Sequence, residues 1–290
     1  MSNICVVHLV RAENGLSPFA DFMRSYREHP AGVAHELLLL CKGFAAAASP
    51  LPADYAALLA DVPHRTLFVA DEGFDIGPYF IAARELEYRR FCFFNSFSRL
   101  LDAGWLAKLA AAHAETEGVG VVSATGSYES HYTNLARELR PALYLRRAVY
   151  SVRHAERPES VRDYVAKRRE LAAAREMFDP FPNQHVRTNA FLIAREVMLD
   201  LKVGAIRNKM DAAAFESGKA GLTRQLSARG LRALVVGRDG VAYAGDEWRE
   251  SHTFRSGEQR NLLVADNRTR QYAEADPPTK KFLEEFAWGV

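Results

Sequence analysis

The sequence has little sulfur, no long apolar run and almost no imbalance of charge, and each shortage removes a class of protein. Its three cysteines, Cys5, Cys41 and Cys92, are odd in number, lack ligand-like spacing and lie in apolar, strand-like stretches. They read as reduced core thiols, so neither a disulfide framework nor a cysteine-held zinc site is expected. No stretch approaches the roughly 18 apolar residues of a membrane-spanning helix, and the opening "MSNICVVHLVRAENG" lacks a secretory leader's basic lead-in. The chain is therefore expected in the cytoplasm, with any membrane role confined to contact with the inner face. Its 38 basic and 36 acidic residues leave a net charge of +2, which gives no bulk attraction for nucleic acid. What is present is an ordinary globular composition, 48% hydrophobic over 290 residues, enough to bury a large core in one domain or one domain with an appendage.

Through the first half, short apolar runs alternate with helical patterns, the signature of βαβ units around a parallel sheet. "ICVVHLV", "HELLLLCKGF", "TLFVAD", "RFCFFN" and "GVGVVSATG" read as strands. The helices between them are "SPFADFMRSYREH", with Ser17 placed to cap and Pro18 at the first helical position, then "PADYAALLADV", "DIGPYFIAAREL" and "DAGWLAKLAAAHAE". From about 130 to 180 the pattern changes to a helical insertion. Its stretch 137–175 holds eleven Arg or Lys against five Asp or Glu, which suits phosphates or lipid head groups, or is a solvated helix face. After the Pro-rich "DPFPNQ", the run "HVRTNAFLIARE" reads as extended chain entering a helix. "DAAAFESGKAGLTRQLSARG" reads as one helix ended by Gly230, and "LRALVVGRDG" as a late strand. Residues 1–245 are expected to form the main domain. Residues 246–290 read as an irregular segment, too rich in Trp, Phe and Leu to be a free tail, that packs on it.

Ligands of an open α/β sheet sit beyond the carboxyl ends of its strands, so the residues that follow each apolar run are the ones to question. Four such places stand out: "RAENG" with Arg11 and Glu13; "DEGFDIGPY" with Asp71, Glu72, Gly73 and Asp75; Asn95-Ser96-Phe97-Ser98; and "SATGSYES". Brought into one crevice, their carboxylates, amides, hydroxyls and flexible backbone suit a nucleotide's base, ribose and diphosphate. Each also has a plain structural reading. Asp75 stands where it would cap a helix, and Asn95, Ser96 and Ser98 where polar side chains satisfy a turn.

The run "DEGFDIGPYFIAARELEYRRFCFFNSFSRLLDAGWLAKL", continued by "GVGVVSATG", resembles the GT-A glycosyltransferases in order and spacing, especially family 2 and the rhamnosyltransferase-like proteins around it. "GFDIGPY" is similar to a turn of rhamnan-synthesis proteins. "FESGKAGLTRQLSARGLRALVV" follows the outline of the family's aromatic-Glu-Asp helix and the strand after it, so the likeness covers about residues 3 to 240. Beyond that only "WRESHTF" is similar to the family's late His segment. The resemblance implies a GT-A-like, Rossmann-type catalytic domain with a mostly parallel sheet flanked by helices. It further implies a nucleotide-sugar donor, a glycan or lipid-linked acceptor, transfer with inversion, and a place in bacterial surface polysaccharide synthesis. Donor binding falls to Arg11, Glu13, Asp71, Gly73, Asp75, Asn95, Ser96 and Ser98, with Asp71 on the base or ribose. The general base is then Glu216, since Ser217 holds the family's Asp position, or Asp211 if the register slips; the plain structural reading of Glu216 is a solvated helix carboxylate.

The chain departs from the family at the Asp-x-Asp step. Asn95-Ser96-Phe97-Ser98 contains no carboxylate, and uncharged oxygens hold Mg2+ or Mn2+ poorly. No cofactor is therefore expected, and the donor's diphosphate is left to arginines such as Arg146, Arg147 or Arg187. The other way is a metal on Asp71, Asp75 or His252, with Asn95 a weak ligand. In "FPNQHVRTNAF" the alternation of His185, Arg187 and Asn189 puts the three on one face of an extended chain, to grip a phosphate or acceptor hydroxyls, or to tie down the loop. Trp248, His252 and Gln259 either close over the donor or simply pack, the plainer reading. Two rivals stand beside the transferase: a GT-A-like nucleotide- or glycan-binding partner without catalysis, and a nucleotidyltransferase, which "RAENG" does not support for want of a Gly-rich phosphate loop.

Overall fold

The structure, a computed structural model, describes residues 3–44, 51–140 and 161–289. Arg146, Arg147 and the middle of the basic insertion lie outside the described residues. In chain order the strands are β1 (Ile4–Arg11), β2 (Glu36–Lys42), β3 (His64–Val69), β4 (Arg90–Phe94), β5 (Arg99–Leu100), β6 (Val119–Ser123), β7 (Gly126–Ser127), β8 (His185–Val186), β9 (Ala190–Ala194), β10 (Arg232–Val236), β11 (Ala242–Tyr243) and β12 (Val264–Ala265). The helices described are α1 (Leu16–Glu28), α2 (Ala53–Ala57), α3 (Ile76–Glu85), α4 (Trp105–Glu115), α5 (His131–Glu138), α6 (Val161–Met177), α7 (Arg195–Leu199), α8 (Lys209–Ser217), α9 (Leu222–Ala228), α10 (Asn267–Ala273) and α11 (Pro277–Trp288). Eight strands form one sheet in the order β11-β10-β6-β9-β4-β1-β2-β3, and all but β9 and β11 run the same way. The α/β class with a mostly parallel sheet, expected from the sequence, is the one the chain forms.

The central strands are apolar on both faces because both faces are covered. Along β1 and β4, Val6, Val10, Cys92 and Phe94 point into one layer with Phe19, Phe22 and Met23 of α1 and Trp105, Leu106 and Leu109 of α4. The alternate residues Val7, Leu9, Phe91 and Phe93 meet Tyr79 and Phe80 of α3, Phe215 of α8, Leu222 and Leu226 of α9, and Trp248, Phe254 and Trp288 from the C-terminal segment. Full burial of one such large side chain stabilises the fold by about 1.5–3 kcal/mol, so this two-sided pattern commits the sheet to the interior. Among the described residues no helix is long and apolar enough to cross a membrane.

Three details differ from the sequence reading. Helix α1 begins at Leu16, after left-handed Gly15 (φ 69°), so Ser17 lies inside the helix and caps nothing. The expected single helix over 211–230 is two, α8 and α9. The backbone folds so tightly between them that a Cβ on Gly218 would stand 2.4 Å from the Ala214 carbonyl oxygen, and one on Gly221 2.9 Å from the Phe215 oxygen. The C-terminal segment, expected to be irregular, contains a strand and two helices. There β12 pairs with β5, and Trp288 of α11 donates its indole N–H to the carbonyls of Phe254 (2.9 Å) and Arg255 (3.1 Å). Trp248 packs against Gly126, where a Cβ would come within 2.6 Å of the indole ring.

Candidate active site

The sheet order places β1 between β2 and β4, so the chain turns left after one strand and right after the next, and a crevice opens at their carboxyl ends. Because β9 runs backwards between β4 and β6, its entry also lies at this edge: the amide of Asn95 donates to the Asn189 carbonyl (2.9 Å) and that of Ala124 to the Ala190 carbonyl (2.9 Å). Residues 11–13, 71–75, 95–98, 123–130 and 185–189 thus come to one side of the sheet.

At the β1 end, Arg11 holds Asp71 in a two-bonded fork, Nε to Oδ1 at 2.9 Å and Nη2 to Oδ2 at 3.0 Å, and also pairs with Glu13. The Arg11 bond holds the Asp71 carboxyl below the usual range. Lys42, the last residue of β2, lies 3% exposed beside them, with Nζ 3.4 Å from Asp71 Oδ1 and donating to the Phe74 carbonyl at 2.7 Å. Burial, opposed by Asp71, pushes this ammonium below its ordinary pKa. The Phe74 carbonyl belongs to a strained turn: Phe74 is left-handed (φ 50°), and Gly73 (φ 71°) passes so near Gly77 that a Cβ would stand 2.9 Å from its Cα. Arg11, Lys42, Asp71, Glu72, Asp75 and Arg207 surround a cavity of about 480 Å³.

Asp75 occupies the N-cap position of α3, yet its side chain accepts no capping hydrogen bond; it lines the cavity instead. Burial raises its carboxyl above the usual range; Lys42 opposes the shift and Glu216 adds to it. Glu216 is brought over by Phe215, whose ring meets Phe80 of α3 edge-on at 5.6 Å. One Glu216 oxygen, Oε2, accepts from both the amide (2.7 Å) and the hydroxyl (2.5 Å) of Thr188. The hydroxyl of Tyr79, fully buried beside these carboxylates, has no hydrogen-bond partner among the described residues. Asp211 is engaged by its own helix start: its carboxylate closes a capping box at the start of α8, accepting from the amides of Arg207 (2.8 Å), a residue that borders the cavity, and Asn208 (3.2 Å).

At the β4 end, Asn95 turns its side-chain oxygen back into its own loop, where it accepts from the amide of Phe97 and the hydroxyl of Ser98, both at 3.0 Å. The buried Ser98 hydroxyl also reaches the Asn189 carbonyl at 3.2 Å, and Ser96 is 7% exposed. The side-chain oxygen at the position of the family's acidic step is thus engaged by its own turn, and the step carries no carboxylate. Among the described residues no three His, Cys, Asp or Glu gather anywhere as a ligand set. His252 stands on the C-terminal segment, its Nδ1 3.4 Å from the Ser256 hydroxyl.

His185, Arg187 and Asn189 are all buried. His185 Nδ1 meets the Asn183 carbonyl at 2.7 Å, and burial pushes the imidazole below its ordinary pKa. Arg187 donates to Asp266 at 2.7 Å in an almost fully enclosed ion pair and stacks over Phe254 at 4.3 Å. Burial works against both charges, but each partner holds the other ionised. Arg187 is thus committed to a protein carboxylate. Asn189 accepts from the Thr125 hydroxyl at 2.7 Å, while its own amide nitrogen is buried without a partner among the described residues.

Lys42, Thr188, Tyr79, Arg207, Arg255 and Asp266 belong to this region and were not singled out from the sequence. Lys42 carried a usable signal, being a charged residue at the carboxyl end of the apolar run "LLLLC". No protein-family model and no curated protein matches the chain. Among solved structures it is similar to a mannosyltransferase of Pyrobaculum calidifontis in complex with GDP-Man and Mn2+, at 15% identity over 98% of this chain and 69% of that one, with a TM-score of 0.44. It is also similar to glucosyl-3-phosphoglycerate synthase of Mycobacterium tuberculosis (16% identity, 67% and 57% covered, TM-score 0.37) and to mouse xyloside xylosyltransferase 1 (12% identity, 68% and 69% covered, TM-score 0.37). These are loose likenesses, and the chemistry of the site rests on its own residues.

Proposed function

We propose that the chain is a glycosyltransferase that moves a sugar from a nucleotide-sugar donor to a glycan or lipid-linked acceptor. The observation that carries this reading is the placing of Glu216. Its carboxylate is fixed through one oxygen by Thr188 and stands beside Asp75, next to a polar cavity at the carboxyl edge of the sheet. The cavity, with Arg11, Glu13, Asp71 and Gly73, takes the nucleotide, and Asp75 accepts from hydroxyls of the donor. Glu216 Oε1 removes the acceptor hydroxyl's proton as that oxygen attacks the anomeric carbon opposite the leaving diphosphate, so the configuration inverts. Cytoplasmic assembly of a bacterial surface polysaccharide at the inner face of the membrane fits an acceptor of this kind. Since Asn95 gives its oxygen to its own turn, transfer is expected without a divalent cation.

The test is turnover of a panel of nucleotide sugars by the wild-type protein and Glu216→Gln, with Mn2+ or EDTA. The expected result is donor turnover that survives EDTA and falls about a hundredfold or more in Glu216→Gln, with donor binding retained. Strict Mn2+ dependence would remove the metal-free reading. The missing carboxylates at residues 95–98 favour one alternative, a nucleotide- or glycan-binding partner that has lost catalysis. Binding without turnover of any donor would establish it and sink the enzyme reading.

A further inference from the structure

The C-terminal segment brings a second buried guanidinium to the Arg187 cluster. Arg255 is 3% exposed, its Nε has no hydrogen-bond partner, and its Nη1 reaches only Glu129 Oε2, at 3.4 Å. Arg187 and Arg255 lie against the same ring, with Phe254 at 4.3 and 4.9 Å. Arg187 has its own enclosed carboxylate in Asp266 at 2.7 Å, whereas Arg255 has only the longer pair with Glu129, whose side chain is one-third exposed. Arg187 Nη1 donates to the Thr125 hydroxyl, which donates to Asn189, whose amide nitrogen is likewise buried without an acceptor. Around Arg187, with Arg255 sharing its Phe254 ring and Asn189 joined to it through Thr125, there are therefore two enclosed donors, Arg255 Nε and Asn189 Nδ2, for which the described residues provide no acceptor. A buried donor without a partner is costly, and two beside one guanidinium point to an acceptor-only ligand.

The backbone agrees with this. His252, Arg255, Glu258 and Gln259 are all left-handed, with φ between 43° and 53°, so four non-glycine residues in eight positions are held in a disfavoured conformation. Strain of this kind persists where surrounding structure aims a side chain. The groups facing Arg255 are Glu129, Asp266, Arg187 and Arg268, three guanidiniums counting its own against two carboxylates. One carboxylate is already bound to Arg187, and the other is one-third exposed, so an incoming anion reaches Arg255 by displacing Glu129.

We propose that Arg255 and Asn189 form an anion site that takes a phosphoryl group. Naming the occupant as the donor's diphosphate rests on the glycosyltransferase reading; the anion site itself does not. On this assignment the positive charge at the diphosphate comes from Arg255 rather than from Arg187.

Calorimetric titration of the full chain with inorganic pyrophosphate, UDP and GDP tests it, using Arg255→Gln, Arg255→Lys and Glu129→Gln beside the parent. Pyrophosphate and at least one nucleotide should bind the parent, weaken about ten- to hundredfold in Arg255→Gln and recover in part in Arg255→Lys. Glu129→Gln should tighten binding several-fold, since it removes the competing carboxylate and leaves the guanidinium in place; its affinity decides between the outcomes if Arg255→Gln does not fold. Parent-like pyrophosphate affinity in a folded Arg255→Gln, weaker binding in Glu129→Gln, or no binding by the parent overturns the site. Pyrophosphate binding that depends on Arg255, with no nucleotide sugar turned over, supports the site and removes the transferase reading alone.

Discussion

His8 lies within β1, fully buried and stacked on Phe22 at 3.6 Å between centroids, and neither of its ring nitrogens has a partner among the described residues. Burial pushes its pKa down from 6.5 to about 3, so the folded protein holds the ring neutral. The unfolded chain takes up a proton below pH 6.5 and the folded one does not, so the stability tied to His8 is complete above pH 6.5 and is lost as pH falls toward 3. The slope is about 1.4 kcal/mol per pH unit in that window. His8→Leu keeps a similar volume and removes two unsatisfied polar atoms. Urea unfolding at pH 7 should show it at least as stable as the parent, and between pH 6 and 4 its stability should fall less steeply by about that slope. His113, shifted down to about 4 chiefly by burial, will keep part of the acid loss, so an unchanged slope in His8→Leu is the contrary result. Such a residue is not visible in "ICVVHLV", where the pattern announces a buried strand but cannot say that the one polar member lacks a partner. Lys42 is the opposite case: the rule that marked Arg11, Asp71 and Asn95 also marks the residue ending "ELLLLCK", because a charge at the end of a buried strand opens onto the crevice.

At the scale of elements, the strands were legible because two covered faces demand unbroken apolar runs, and the helices because α1 and α4 present one apolar stripe each. The division between α8 and α9 was not, since "FESGKAGLTRQL" carries good helix formers and the period continues across the break. What decides is contact with chain distant in sequence: a Cβ on Gly218 would also stand 3.0 Å from the Met177 carbonyl oxygen. The break sets the end of α8, where Glu216 meets Thr188, so local packing and the proposed base depend on one glycine. Gly218→Ala is expected to lose about 1–3 kcal/mol in urea unfolding, because backbone atoms on two elements must give way. It should also lower any Glu216-dependent turnover more than donor affinity. A fully stable Gly218→Ala with parent-like turnover would show that the tight corner does not position the base.

For the molecule as a whole, the reading of residues 246–290 as cover for the main domain understates their part, and composition alone could not reveal it, since ion pairing across 79 residues of chain leaves no periodic trace. Asp266 is 1% exposed in its ion pair with Arg187 and accepts the Thr269 amide at 2.8 Å, so removing the carboxylate leaves a buried guanidinium without its counter-charge. Breaking such a pair from one side costs about 3–5 kcal/mol, whereas replacing both partners with apolar groups of similar size is often close to neutral. Asp266→Asn should therefore lose several kcal/mol in denaturant unfolding, and the double variant Arg187→Met with Asp266→Leu should regain most of it. Because Trp248, Phe254 and Trp288 share the core layer with α3, α8 and α9, unfolding of the parent should follow one transition by tryptophan fluorescence and by far-UV dichroism. A separate early fluorescence transition, or single and double variants of equal stability, would return the C-terminal segment to an appendage and leave Arg187 free for a ligand.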